Sequence, residues 1–130
     1  MADEQSQITA QCKKVLDQFM EAVNAYDAAA MDATMHFPHV RFTAGSMKVY
    51  EHAGSNPMDL FDRLRQEDDW KVSTWRTRKL VQFNQYKAHY AVAYTRFRSD
   101  NSVIGVYESL YALTYKEGRW GIQLRSSFGP

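Results

Sequence analysis

The chain has 130 residues, 45% hydrophobic, 14% aromatic and 24% charged, the profile of one globular domain that buries roughly two-thirds of its extended-chain surface. Net charge is only +1, with 16 Lys+Arg spread against 15 Asp+Glu, which argues against a nucleic-acid surface, and the lone Cys12 excludes an internal disulfide. No run approaches the roughly 20 apolar residues of a membrane span, and the acidic start Met1-Ala2-Asp3-Glu4-Gln5 does not read as an export signal, so a cytoplasmic protein with no membrane partner is expected.

Residues 1–7 are expected to be a flexible N-terminus. From Ile8 the apolar residues Ile8, Cys12, Val15, Leu16, Phe19, Val23 and Tyr26 fall at the spacing of one helix face, with Lys13, Lys14, Asp17 and Glu21 outside. Cys12 on that stripe reads as a small apolar core residue. Asp27 caps a short second helix through Ala28-Ala29-Ala30-Met31 that must end before Pro38, because the residue ahead of a proline is pushed out of helical geometry. His39 to Glu51 alternate around Gly45-Ser46, a pair suited to a type II′ hairpin turn. Ser55-Asn56-Pro57 is a helix-start signal, and Leu60, Phe61 and Leu64 supply the inner face of a third helix ending near Asp68-Asp69.

After Trp70 the period becomes two, through about residues 71–83, 86–98, 103–115 and 119–128, with turns at Asn84-Gln85, Asp100-Asn101 and Glu117-Gly118. Four long strands joined by tight turns make an antiparallel meander. In the strand 103–115 neither parity is a clean solvent face: Val106, Glu108, Leu110, Ala112 and Thr114 alternate with Tyr107, Ser109, Tyr111, Leu113 and Tyr115. Helices are expected to cover one side and a second copy of the chain the other, giving a homodimer through the sheet. The halves of the chain also differ in charge. Residues 1–65 hold 6 basic and 9 acidic side chains and residues 66–130 hold 10 and 6, so a cationic site is expected on the second half.

This order of elements resembles the nuclear transport factor 2-like, cystatin-related superfamily, an α+β fold in which helices pack on a strongly curved, mainly antiparallel sheet forming a cone with an internal pocket. Lys116-Glu117-Gly118-Arg119-Trp120-Gly121-Ile122-Gln123 resembles its "dGrW.I" final hairpin. Asn24-Ala25-Tyr26-Asp27 followed by Met35-His36-Phe37-Pro38-His39-Val40 resembles its passage through the second helix into the first strand, and Arg125-Ser126-Ser127-Phe128-Gly129-Pro130 the tail of an uncharacterised bacterial branch. The resemblance covers residues 8–130 and implies a single domain there. The superfamily hosts ketosteroid isomerases, scytalone and limonene-epoxide enzymes, SnoaL-like polyketide cyclases, the kinase association domain and plain binding modules, so the site must decide.

Enzymes of this fold usually place an Asp, or an Asp and His pair, in the cone as general base, with a Tyr or protonated acid as oxyanion donor. Glu108 is the acid well inside a long strand, but the alignment with the association domain turns it away from the pocket, toward the second sheet or the dimer, where a partner such as Arg76 or Arg78 would neutralise it. The same resemblance directs Arg125 into the pocket, with Gln123 sharing its parity and Trp120, Ile122 and Leu124 opposite. Ala93-Tyr94-Thr95-Arg96 resembles a strand that carries another pocket arginine, and Tyr111 stands where that domain has one. Tyr90, Tyr94, Arg96, Tyr111, Gln123 and Arg125 would then line one concave surface, with Trp75 able to wall it and His36 or His39 near its mouth. A planar guanidinium fork matches a carboxylate, so the expected ligand is a small, partly apolar anion, with an isomerase or lyase as one outcome and a noncatalytic dimerisation or interaction module as the other. No metal-ligand spacing, phosphate loop or nucleophile elbow is present in the sequence, and no cofactor is expected.

Overall fold

The computed structural model describes residues 2–55 and 58–129. Helix α1 spans Ala2–Asn24, so residues 2–7 continue the helix ahead of the apolar stripe instead of preceding it, with the side chains of residues 3–7 exposed. Ile8, Cys12, Leu16, Phe19 and Val23 are buried as their spacing requires, and the Cys12 thiol, fully enclosed, is pushed up to about 12 by that burial. Tyr26 takes a left-handed conformation (φ 57°) to turn the chain. Asp27 then caps α2, Ala28–Ala33, its carboxylate accepting from the Ala30 N–H at 3.0 Å.

Strand β1, Met35–Thr43, starts four residues earlier than the hairpin expected from His39, and contains Pro38, whose peptide bond with Phe37 is cis. Its pairing with the last strand is broken between Met35 and Val40, so the proline sits where the ladder needs no donor. The closing pair of the hairpin with β2, Ser46–Tyr50, is Thr43 with Ser46, which makes Ala44-Gly45 the turn. Neither residue has positive φ, so the expected II′ turn is not formed. Helix α3, Asp59–Asp68, begins after the predicted start signal. Asn56 and Pro57 lie outside the described residues, and the Ser55 hydroxyl donates to the His52 carbonyl instead of capping the helix.

Strands β3 (Trp70–Phe83), β4 (Lys87–Arg98), β5 (Val103–Lys116) and β6 (Arg119–Ser127) form the expected meander. At the β5–β6 turn Glu117 (φ 56°) and Gly118 (φ 76°) both adopt the left-handed region that a type I′ turn demands. The six strands form one open sheet in the order β2-β1-β6-β5-β4-β3, antiparallel except where β1 runs parallel to β6. Register shifts recur three times between β3 and β4 and once each between β4 and β5 and between β5 and β6. Each adds a local bend, and together they curl the sheet toward the helices.

The core lies between α1 and the concave sheet face, where Leu16, Phe19, Met31, Met35, Tyr90, Leu113 and Ile122 pack together. Two side-chain links fix α1 and β3: Asn24 brackets Ser73 with hydrogen bonds to its N–H and carbonyl, both 2.8 Å, and Trp75 donates to the Leu16 carbonyl. The opposite, convex face carries Phe42, Met47, Val49, Val106 and Leu110, all exposed in the single chain. Among the described residues, no helix is long and apolar enough to cross a membrane.

Candidate functional site

Directly paired residues on neighbouring strands share a face. Lys48 on β2 pairs with Arg41 on β1, Arg41 with Arg125 on β6, Arg125 with Tyr111 on β5, and Tyr111 with Tyr90 on β4. A cross-strand row of three cations, followed by two tyrosines, therefore runs over the concave face. Like charges directly opposite one another destabilise a sheet, so this row is a cost that packing elsewhere offsets.

The row borders a cavity enclosing about 390 Å³, part of it open to solvent. Phe19, Met20 and Val23 of α1 and Leu60 and Phe61 of α3 form its apolar roof. The sheet supplies Arg41, Ser73, Tyr94, Arg96, Tyr111, Arg125 and Ser127. None of these described lining residues is acidic. A second hollow of about 490 Å³ shares Arg41, Arg125, Leu60 and Phe61 with it and adds Lys48, Tyr50, Arg63 and Asp59, forming a cationic mouth to the aromatic interior.

Arg125 is buried at the junction of the two hollows. Its Nε–H donates to Nε2 of the fully buried His39 at 2.9 Å, while His39 Nδ1 lies 2.9 Å from the Ile122 carbonyl oxygen. A carbonyl only accepts, so Nδ1 carries the proton and Nε2 the lone pair: His39 is the neutral Nδ1–H tautomer. Burial, then the Arg125 charge, lower its pKa to about 3. The Arg125 guanidinium also lies 5.4 Å from the Phe19 ring centroid, a cation–π contact. Burial lowers the Arg125 pKa and raises that of Tyr111, so Tyr111 stays a neutral phenol beside a cation. The Arg96 guanidinium stacks 4.6 Å from the Tyr107 ring centroid and 5.4 Å from that of Tyr94.

Of the residues the sequence points to, Tyr94, Arg96, Tyr111 and Arg125 line the cavity, and His39 stands directly behind Arg125. Gln123 does not. A bulge between Ala112 and Leu113 leaves it unpaired, resets the parity of β6, and brings both Ile122 and Arg125 to the helix side; its amide bonds Thr114 and the Pro38 carbonyl. Tyr90 is enclosed in the core near Cys12, and Trp75 packs edge-on against Tyr94 and Tyr111, behind the wall they make. His36 is buried, its Nε2–H donating to the Arg119 carbonyl at 3.1 Å, with its ring against Gly121, where a Cβ would come within 2.7 Å of it. Glu108 is exposed on the convex face opposite Ala93, and Arg78 pairs with Asp17.

Sequence reasoning missed Arg41, Lys48 and Arg63, which come from the acidic first half, so the cationic site is not confined to the second. The available signal for Arg41 and Lys48 was that they share one face of the hairpin with Tyr50; Arg63, on α3, carried none. Among the described residues no three His, Cys, Asp or Glu side chains gather as a metal site.

The His39 arrangement makes a pH prediction. A group whose folded pKa lies below its unfolded value adds stability that is complete above the unfolded value, near 6.5, and is lost as pH falls toward the folded value, near 3. Urea unfolding should lose up to about 1.4 kcal/mol per pH unit on account of His39 as pH falls from 6.5 toward 4, a slope reduced in His39→Gln. A slope unchanged in that variant would contradict this protonation state.

No family model matches the chain, and no curated protein matches it. Solved structures do. A nuclear transport factor 2-like protein of unknown function from Shewanella oneidensis MR-1 superposes with a TM-score of 0.68 at 16% identity, over 93% of this chain and 98% of that one. A nuclear transport factor 2-like protein with a cystatin-like fold from Novosphingobium aromaticivorans gives 0.75 at 12% identity, over 92% and 80%. A protein from Catenulispora acidiphila in complex with S-DNPA gives 0.74 at 11% identity, over 95% and 93%. With its three helices packed on an open, bulged six-stranded sheet, the chain has the nuclear transport factor 2-like, cystatin-related α+β fold.

Proposed function

We propose that the protein binds a small, partly apolar anion in the concave hollow, its charged group at Arg125 and Arg41 and its apolar part against Phe19, Tyr94 and Tyr111. The observation that carries this reading is the Lys48–Arg41–Arg125 row, three like charges on adjacent strands leading into an aromatic cavity whose described lining residues include no acid. An anion relieves the repulsion in that row, and a guanidinium in a low-dielectric site binds a carboxylate more strongly than one in water. A bound ligand in the Catenulispora acidiphila protein is consistent with such use of the fold.

Binding is favoured over proton-transfer catalysis. No Asp or Glu lines the inner cavity among the described residues, and the lone pair of His39 is taken by Arg125, so no group there is poised as a general base. Side chains crowd the inner part of this cavity, so a guest longer than a few atoms must shift those at the roof.

The exposed convex face supports a second component of the reading, a homodimer through the sheet. Met47, Phe42, Ser126 and Leu110 form one cross-strand row there, with Val49 on the adjacent row, an apolar surface of the kind that marks association, which the exposed Glu108 separates from Val106 along β5. Sedimentation at micromolar concentration should give a dimer and Leu110→Glu a folded monomer; a monomeric wild type would overturn the association.

Thermal unfolding against small carboxylic acids tests the binding. Ligand at a hundred times its dissociation constant adds about 2.7 kcal/mol to native stability, which for a domain this size raises the midpoint by roughly 3–6 °C per kcal/mol. The shift should be confined to acids and lost in Arg125→Ala, while Arg41→Gln, relieved of a like-charge neighbour, should unfold no earlier than wild type without ligand. Silence across the panel would overturn the reading.

A further inference from the structure

The orientation of Arg125 is set by one side chain. A guanidinium can meet a carboxylate through the edge formed by Nε and one terminal nitrogen, or end-on through its two terminal nitrogens. The first edge is closed here, because the Nε–H is already donated to His39 Nε2 at 2.9 Å. Neither terminal nitrogen of Arg125 has a hydrogen bond to a described residue, although the side chain borders both the inner cavity and its mouth. The group also lies over the Phe19 ring, 5.4 Å from its centroid.

His39 is itself held from two sides. Its Nδ1–H is anchored on the Ile122 carbonyl, which fixes the tautomer and so forces Nε2 to be an acceptor. Around it stand the charges of Arg125 from β6 and Arg41 from β1, with the Tyr50 ring of β2 at 6.3 Å and the Phe37 ring of β1 at 6.4 Å. The cationic groups among these oppose its protonation, so the ring remains an acceptor wherever the fold is intact. We propose that His39 is the positioning residue of this site: by taking the Arg125 Nε–H it restricts Arg125 to end-on recognition, and the guest is accordingly a planar carboxylate bridging the two terminal nitrogens. The inference rests on the anion-binding reading given above and adds to it the mode of recognition and the residue that imposes it.

The test compares phenylacetate and benzoate binding, by titration calorimetry, to wild type, His39→Gln and His39→Leu. Glutamine can still accept from Arg125 with its carbonyl or donate to Ile122 with its amide, so its affinity should stay within about threefold of wild type. Leucine leaves the Arg125 Nε–H without an acceptor and the guanidinium free to turn, and should weaken binding about tenfold or more. Wild type that binds neither acid overturns the anion-binding reading and this inference with it. Wild type that binds while folded His39→Leu binds equally well overturns the inference alone. Because His39→Leu can fail to fold, a second measurement needs no variant: nitrogen-15 spectroscopy of the imidazole in wild type at neutral pH should show a neutral ring protonated at Nδ1, and a proton on Nε2 would overturn the proposal.

Discussion

A guanidinium buried on the concave face of a sheet must find acceptors within the fold, in water at the mouth of the hollow, or in a guest, and the arrangement around Arg125 follows from that requirement. The protein supplies one acceptor, the Nε2 lone pair of His39, and an aromatic face, Phe19. Both arrive through tertiary structure. The parallel pairing of β1 with β6 brings His39 and Arg41 beside Arg125, and the apolar stripe of α1 lowers Phe19 onto it. The bulge at Gln123 is equally necessary, since without it Ile122 and Arg125 would point to opposite sides of the sheet.

The most deeply buried side chains lie beside this region. The fully buried Cys12, Leu16, Leu113 and Ile122 fill the space between α1 and the sheet, and the Asn24–Ser73 bonds tie the end of that helix to β3. The row Lys48–Arg41–Arg125 contributes repulsion instead, on strands at one side of an open sheet. Repulsion in such a row lowers the stability of the empty chain, the tension between stability and function expected where a hollow takes an anion as proposed. The neutral tyrosines Tyr94 and Tyr111 complete the surface with polar tips on apolar bodies, suited to a guest that is anionic at one end only.

Most of the fold was legible because its signals are local. The three- and four-residue spacing from Ile8 to Val23 predicts α1, Asp27 predicts the cap it forms, and Glu117-Gly118 predicts a turn that only left-handed residues complete. Arg96, Tyr94, Tyr111 and Arg125 reach the cavity as the strand resemblance implies. What the sequence does not reveal is long-range or depends on a break in period. Gln123 was misassigned because alternation carries through a bulge on paper and not in space. Arg41 was overlooked because its role depends on which strand lies beside β1, and pairing across 84 residues of chain leaves no local trace. Tyr90 and Trp75 share the correct face, but depth beneath α1, which parity does not encode, places one in the core and the other behind the wall.

End-on recognition by Arg125 is tested most directly by a crystal structure of the protein saturated with phenylacetate. The carboxylate should lie in the plane of Arg125, one oxygen on each terminal nitrogen at about 2.7–2.9 Å, with the phenyl ring toward Tyr94 and Tyr111 and the His39–Arg125 bond intact. A carboxylate bound at Nε with His39 displaced, or phenylacetate seated outside the hollow, would contradict it.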